Sequence, residues 1–295
     1  MLFRAKDPLT AKLKEHFGFS TFRPLQREII DETLAGKDAL ALLPTGGGKS
    51  LCYQLPALMR SGLTLVISPL IALMKDQVDA LLENGVSAAY LNSSLTEESS
   101  KETWRKLYRG EIKILYLSPE RLLLEGMLDT LATLSLEFVA VDEAHCISSW
   151  GHDFRPEYRA LRTLRERFPQ VPILALTASA TERVRKDIIE MLGIQAARQF
   201  VASFNRPNLS YRVIPRVTPM KQILEILADH KDETGIIYCL SRAKTEAVAA
   251  DLSKRGITSA AYHAGLTALE RDKRQELFTR DEIQVMVATI AFGMG

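Results

Sequence analysis

The run Asp38-Ala39-Leu40-Ala41-Leu42-Leu43-Pro44-Thr45-Gly46-Gly47-Gly48-Lys49-Ser50 decides how this chain folds. Its first half is apolar without alternation. A strand reads that way when helices cover both faces of a parallel sheet. Its second half is a turn whose glycines let several backbone N–H groups point at one place. The helical pattern that follows puts a helix amino terminus there, and its dipole favours an anion. In that setting Thr45, Gly46, Gly47 and Gly48 form a phosphate cradle, Lys49 reaches the outer phosphates and the Ser50 hydroxyl binds Mg²⁺. The general phosphate-loop pattern has a glycine where this chain has Leu43. The alternative is a merely flexible glycine-rich turn; the strand before it and the helix after it weigh against that.

Outward from this run, apolar stretches alternate with helical patterns. Strands are expected at 38–43, 64–68, 87–91, 113–118, 138–142 and 173–177, with helices at 70–83, 97–109 and 181–192. Gly85 and Gly110 sit where helix ends favour a left-handed residue. The alternation stops near residue 205, where Asn205, Arg206, Pro207, Asn208, Pro215 and Pro219 give a linker composition. It restarts with helices at 220–230, 242–255 and 267–279 and strands at 235–239, 259–262 and 284–288. The expected fold is therefore α/β, with two parallel-sheet domains at 1–207 and 208–295. The second would hold about three strands and read as cut short.

Composition bounds the function. At roughly 150 residues per domain, 295 residues make two domains. A hydrophobic share of 46% and a charged share of 25% exclude a disordered chain, a collagen repeat and a disulfide miniprotein. The longest apolar stretch, 63–74, is broken by Ser68-Pro69 and is too short to span a bilayer, so no membrane partner is expected. The charged segment 1–17 does not read as a signal peptide. Thirty-eight basic against 36 acidic residues leave a net charge of +2, so any DNA contact must come from a local groove. The three cysteines, Cys52, Cys146 and Cys239, form no CxxC pair. No zinc site is expected within this chain, and a reduced, intracellular setting is the simplest one.

A phosphate site of this kind needs a carboxylate at the end of a second buried strand. Phe138-Val139-Ala140-Val141-Asp142-Glu143-Ala144-His145 supplies it. Asp142 would hold Mg²⁺, and Glu143 would orient or deprotonate the attacking water. Alone, an apolar strand ending in Asp-Glu is also a common helix-start pair.

At these residues the chain resembles the RecQ family of DNA helicases, within superfamily 2. Asp142-Glu143-Ala144-His145 is similar to a DEAH box, and the continuation Cys146-Ile147-Ser148-Ser149-Trp150-Gly151-His152-Asp153-Phe154-Arg155-Pro156-Glu157-Tyr158 resembles the family's aromatic-rich loop. Phe17-Gly18-Phe19 through Phe22-Arg23-Pro24-Leu25-Gln26 resembles motif zero, 68–77 motif Ia, 117–121 motif Ib, 176–181 motif III, 236–242 motif IV, and 262–265 with 287–295 the motif IVa and V regions. The resemblance covers about residue 12 to the last residue and points to bacterial RecQ proteins, hence to a cytoplasmic, nucleoid-associated setting.

It implies two tandem RecA-like domains and an ATP-dependent 3′-to-5′ DNA helicase of DNA repair and recombination. Its cofactors would be ATP and Mg²⁺, and its partners single-stranded and partly duplex DNA. Phe19, Arg23 and Gln26 resemble the adenine-recognition group; a Gln amide can pair with the N6 and N7 edges of adenine. Phe17 and Phe22 also fit a small hydrophobic cap. His145 would link the nucleotide site to the next motif, and Thr177 and Ser179 would couple it to DNA, although a Ser/Thr turn explains that pair too. Trp150, His152, Phe154 and Arg155 would contact single-stranded DNA by stacking beside basic groups. Without the resemblance, Trp150 and Phe154 would read as core anchors. Ser241, Arg242, His263 and Thr289 resemble phosphate-contacting positions and equally fit caps or solvated side chains. Arg159, Arg162, Arg165 and Arg167 read as a solvated helix face.

Relatives continue past the last residue into motif VI, whose arginine finger completes the ATP site, and into a zinc and winged-helix region. The chain therefore reads as an amino-terminal fragment, and a binding-only module for ATP and single-stranded DNA with little turnover is the alternative function. A P-loop kinase or transporter ATPase is a third reading, but it leaves the aromatic loop and Ser179 region unexplained.

Overall fold

A computed structural model of the chain describes residues 7–92, 95–151, 153–203, 209–289 and 292. The chain divides into two compact units, Met1–Asn208 and Leu209–Gly295.

Among the described residues the first unit holds seven strands: β1 Ala39–Leu42, β2 Leu63–Ile67, β3 Ala88–Leu91, β4 Ile114–Leu117, β5 Leu136–Val141, β6 Ile173–Thr177 and β7 Arg198–Val201. They form one sheet in the order β3-β4-β2-β5-β6-β1-β7, and every pairing is parallel. β1, β2, β4 and β6 are buried at each position, because their alternate side chains enter cores on opposite faces. Leu40, Leu65, Ile67, Leu115 and Val139 meet Leu107, Ile188 and Leu192 from helices on one side. Ala41, Val66, Tyr116, Ala140 and Leu174 meet Ile29, Tyr53, Met74 and Val78 on the other. This is the physical source of the unalternating apolar runs.

The helices start and stop on local signals. Glu182–Leu192 opens at Thr181, whose side chain accepts from the Val184 N–H, and closes at Gly193 with φ 67°. Glu97–Tyr108 opens at Thr96 with Glu97 and Glu98 in its first turn, where the helix dipole favours acidic groups. β7 is absent from the sequence expectations. It is an edge strand in which Phe200 alone is buried, so it carries no apolar run. Arg165 is a correction: it is not part of a solvated face. It pairs with Asp38 at 2.6 Å and donates to the carbonyls of Pro169 and Val171.

The second unit holds β8 Gly235–Tyr238, β9 Ser259–Tyr262 and β10 Val285–Ala288, parallel in the order β8-β10-β9 among the described residues. Val248, Leu252, Val285 and Val287 form the core of one face, and Met286, Ala288 and Phe292 pack with Phe278 on the other. Both units are thus parallel α/β structures, as the sequence predicts.

Candidate active site

Three neighbouring strands of the first sheet deliver the predicted residues at their carboxyl ends. β1 leads into Pro44–Ser50, β5 into Asp142–His145 and β6 into Thr177–Ser179. Their register aligns Leu42 with Thr177 and Val141 with Ala175. Crevices at this end of an open parallel sheet are where such folds bind ligands.

The loop is built as its glycines require. Gly46 and Gly48 have φ of 75° and 77°. A Cβ on Gly47 would lie 2.8 Å from the Pro44 carbonyl oxygen, and one on Gly48 would collide with the Gln26 amide. The helix Leu51–Met59 follows directly, with the Gln54 N–H donating to the Ser50 carbonyl at 3.0 Å.

Gln26 and Arg23 lie against this loop. The Gln26 amide nitrogen donates to the Gly48 carbonyl at 3.0 Å, and its carbonyl oxygen accepts from the Arg23 N–H at 2.8 Å. The Arg23 guanidinium donates to the Gly46 carbonyl. Gln26 is buried, whereas Phe19 is 56% exposed. Both ends of the Gln26 amide are therefore engaged by protein in this conformation. The expected adenine reader is also a brace for the phosphate loop.

Asp142 is buried. Its N–H donates to the Ile67 carbonyl at 2.8 Å, and its carboxylate accepts from the Glu143 N–H at 3.0 Å. Burial, then the charge of Glu143, pushes its pKa up to about 6, against the opposing pull of the Glu143 N–H, Lys49 and His145. Glu143 sits at φ 47°, a left-handed conformation that is costly for a residue with a Cβ and that gathers at functional sites. His145 Nδ1 lies 3.1 Å from the Glu143 carboxylate and 2.9 Å from the Thr177 hydroxyl. Thr177 Oγ1 accepts from the Ser179 N–H at 3.3 Å. The Ser/Thr turn is therefore formed, and the same hydroxyl meets the histidine.

A buried carboxylate held toward its neutral form is a place where a divalent cation restores the charge. Asp142 with the Ser50 hydroxyl fits Mg²⁺ in that chemical sense. Among the described residues no group of three or more His, Cys, Asp or Glu is gathered to hold a metal.

Sequence reasoning missed the polar layer beneath the loop. The Tyr53 hydroxyl lies 3.2 Å from that of Tyr116. The Gln54 amide donates to the Tyr116 hydroxyl at 3.4 Å and to Gln77 at 3.1 Å. The Tyr158 hydroxyl donates to the Asp142 carbonyl at 3.0 Å. The one available signal was tyrosine within otherwise apolar stretches, since a buried hydroxyl needs a partner.

In the aromatic loop Trp150 is 61% and Phe154 39% exposed, so neither is a core anchor. The Arg183 guanidinium stands 3.5 Å from the Trp150 ring centre, and Arg159 stands 5.1 Å from that of Phe154. Arg155 donates to the Pro69 carbonyl at 3.1 Å, tying the loop to the start of the 71–83 helix. His152 lies outside the described residues.

In the second unit, Ser241 caps the helix Arg242–Lys254 by accepting from the Lys244 N–H, and Arg242 is exposed. His263 is buried, with Nε2 3.1 Å from Glu246 and Nδ1 accepting from the Gly265 N–H. The Thr289 N–H donates to the Tyr262 carbonyl at 3.1 Å. Residues 290, 291 and 293–295 of the motif V region lie outside the described residues. Among the described residues no helix is long and apolar enough to cross a membrane.

Known proteins resemble this chain. The model of the DEAD/DEAH box helicase family matches residues 23–188, and that of the helicase conserved C-terminal domain matches 218–295. The chain is 51% identical over 279 residues to an ATP-dependent DNA helicase RecQ of Pasteurella multocida, covering 95% of this chain and 44% of that protein. It is 49% identical over 290 residues to the Haemophilus influenzae RecQ helicase, covering 98% and 47%. The chain thus spans less than half the length of these relatives. Among solved structures, the DUF1998 helicase MrfA bound to DNA and AMPPNP superposes with a TM-score of 0.75 at 17% identity, covering 98% of this chain and 44% of that one. Yeast Dbp5 bound to RNA and ADP BeF3 superposes at 0.70 and 15% identity, covering 98% and 75%. Family models over both units, and relatives at half identity across nearly all of its residues, agree with a phosphate loop set beside an Asp-Glu-Ala-His strand end: this chain belongs to the DEAD/DEAH box helicase family.

Proposed function

We propose that this chain carries the ATP-driven motor of a RecQ-type 3′-to-5′ DNA helicase, in which hydrolysis drives movement along single-stranded DNA and opens the duplex. The observation that carries the reading is the array at the ends of β5, β6 and β1: a glycine loop with Lys49 and Ser50, the buried Asp142, and Glu143 joined through His145 to Thr177. The relatives are named for helicase activity, which favours a motor over a binding-only module.

Mg²⁺ and ATP supply the divalent charge and the phosphoryl group. The chain's own residues do the rest. Backbone N–H groups of 45–50 and the Lys49 ammonium bind phosphate, while Ser50 and Asp142 hold the ion. Glu143 accepts a proton from, or aims, the attacking water. Arg23 and Gln26 exchange their bonds with the loop for bonds to adenine, with Phe19 against the ring. Trp150, Phe154 and Arg155 meet the single strand, together with His152, and the His145–Thr177–Ser179 contact passes its presence to Glu143. Ser241, Arg242, His263 and Thr289 contribute phosphate contacts from the second unit, and Arg242 has the exposure for it. A role in repair and recombination, in the cytoplasm beside the nucleoid, accompanies this reading.

The test is ATP hydrolysis by the chain with and without single-stranded DNA, with Lys49→Ala as the blank. DNA-stimulated turnover that vanishes in the variant is expected. Equal turnover in the variant would sink the phosphate-site reading, and nucleotide binding without turnover would favour the binding-only module.

A further inference from the structure

We infer that Arg183 is a DNA-binding residue paired with Trp150: its guanidinium, which occupies the indole face in this structure, yields that face to a base and takes the adjoining phosphate. This rests on the proposed role of the aromatic loop in binding a single strand.

Four observations lead there. First, the guanidinium lies 3.5 Å from the indole centre, the position a stacked base would need. Second, the indole is 61% exposed, so the arginine covers a face otherwise open to solvent. Third, the loop is held in place independently. Asp187, one turn after Arg183 on the same helix, accepts from the Ser148 hydroxyl at 2.5 Å, and that oxygen accepts from the Trp150 N–H at 3.2 Å. Arg183 is therefore not needed to fix the loop backbone. Fourth, the acidic neighbours of Arg183 are engaged elsewhere: Glu182 pairs with Lys186 at 2.9 Å, and Asp187 holds Ser148. The cation is left to find its partner outside.

Exchange is favourable on general grounds. An exposed cation–π contact is weaker than a base stacked on an aromatic ring. A displaced guanidinium has a fork of donors matched to phosphate oxygens. Phe154 and Arg159 repeat the arrangement at 5.1 Å on the second exposed ring of the loop. The helix that carries Arg183 begins directly after the Thr177–Ser179 turn, so taking the indole from Arg183 acts on the element next to His145.

The test is binding of a short fluorescein-labelled oligothymidylate to the full chain, followed by anisotropy over a series of salt concentrations. Arg183→Ala is expected to bind several-fold more weakly at low salt. Its plot of log affinity against log salt should be shallower by about 0.7, the share of one phosphate on a single strand. Arg183→Lys should keep the wild-type slope, and Trp150→Ala should weaken binding with the slope unchanged. A wild-type slope and affinity in Arg183→Ala, beside a weakened Trp150→Ala, would overturn the assignment of Arg183 alone. Unchanged binding in Trp150→Ala would overturn the loop reading beneath it.

Discussion

The two units share a parallel α/β plan and differ in the polar groups at their strand ends. In the first, β1, β2, β4 and β6 are buried throughout, and the polar groups at the strand ends, Asp142, His145 and Thr177, are buried with them. In the second, β10 is buried at each position as well, and the edge strand β8 leaves Ile236 and Tyr238 42% and 58% exposed. Its candidate polar residues are a helix cap, an open arginine and a histidine already satisfied by Glu246 and Gly265. The same architecture therefore offers two electrostatic environments. Only a dry strand end makes a carboxylate respond strongly to an arriving cation, since charges interact far more strongly out of water. In the proposed function, chemistry belongs to the first unit and backbone contact to the second.

The sharpest way to break this contrast is to remove one cation from each unit. Lys49→Ala is expected to lower ATP turnover about a thousandfold or more, the scale of losing a positioned charge on a transferring phosphoryl group. DNA binding should change little. Arg242→Ala, in the second unit, should mainly weaken DNA binding and reduce its salt dependence. If the two variants lost turnover equally, the division of labour would be wrong.

Desolvation itself can be tested at Asp142. Its pKa is raised to about 6 from 3.8. The folded state therefore keeps a proton that the unfolded chain has lost. Stability then falls as pH rises from about 4 to about 6, and the full penalty stands above that. Asp142→Asn removes the penalty and keeps an acceptor for the Glu143 N–H. In metal-free buffer at neutral pH the variant should be more stable by up to about 3 kcal/mol. The gain should vanish below pH about 4. Denaturant unfolding at both pH values checks it, and equal stabilities at neutral pH would mean that the strand end is wet.

A smaller effect separates binding from chemistry within the first unit. Trp150→Ala or Phe154→Ala should reduce the stimulation of ATP hydrolysis by DNA about tenfold, the scale of one lost base stack, while basal hydrolysis stays near wild type. Steady-state rates with and without single-stranded DNA read both numbers. A parallel fall in the two would make the loop structural and leave the strand ends without a DNA sensor.

The sequence made most of this visible for one reason. A strand buried on both faces writes itself as an apolar run, and a phosphate loop as glycines before Lys-Ser. What it hid depends on partners distant in the chain. Arg165 looked solvated because Asp38, its partner, is 127 residues away. Tyr53, Tyr116, Gln54 and Gln77 lie on separate elements and become a network only when packed. β7 has one buried side chain, too few to form a pattern. Gln26 is singled out by the family resemblance, but its grip on Gly48 is not legible, because a backbone carbonyl has no sequence signature.

The smallest expected effect lies at helix starts, where the two units should behave alike except toward acid. Asp7 caps the helix Pro8–Phe17 by accepting from the Thr10 N–H; Ser241 caps Arg242–Lys254 by accepting from the Lys244 N–H. Replacing either by Ala should cost about 1 kcal/mol at neutral pH. Asp7, however, also accepts from the Thr10 hydroxyl and pairs with Arg27. With Thr10 the larger cause, its pKa is lowered to about 2. A depressed carboxylate stabilises the fold above its unfolded value and stops doing so as pH falls through its folded one. The cost of Asp7→Ala should therefore fade between pH about 4 and about 2, whereas the cost of losing the uncharged Ser241 hydroxyl, whose cap involves no carboxylate, should not follow that titration. Thermal unfolding of both variants across this range decides it. Parallel curves would show that Asp7 acts by shape alone and that its pairing with Thr10 and Arg27 adds nothing.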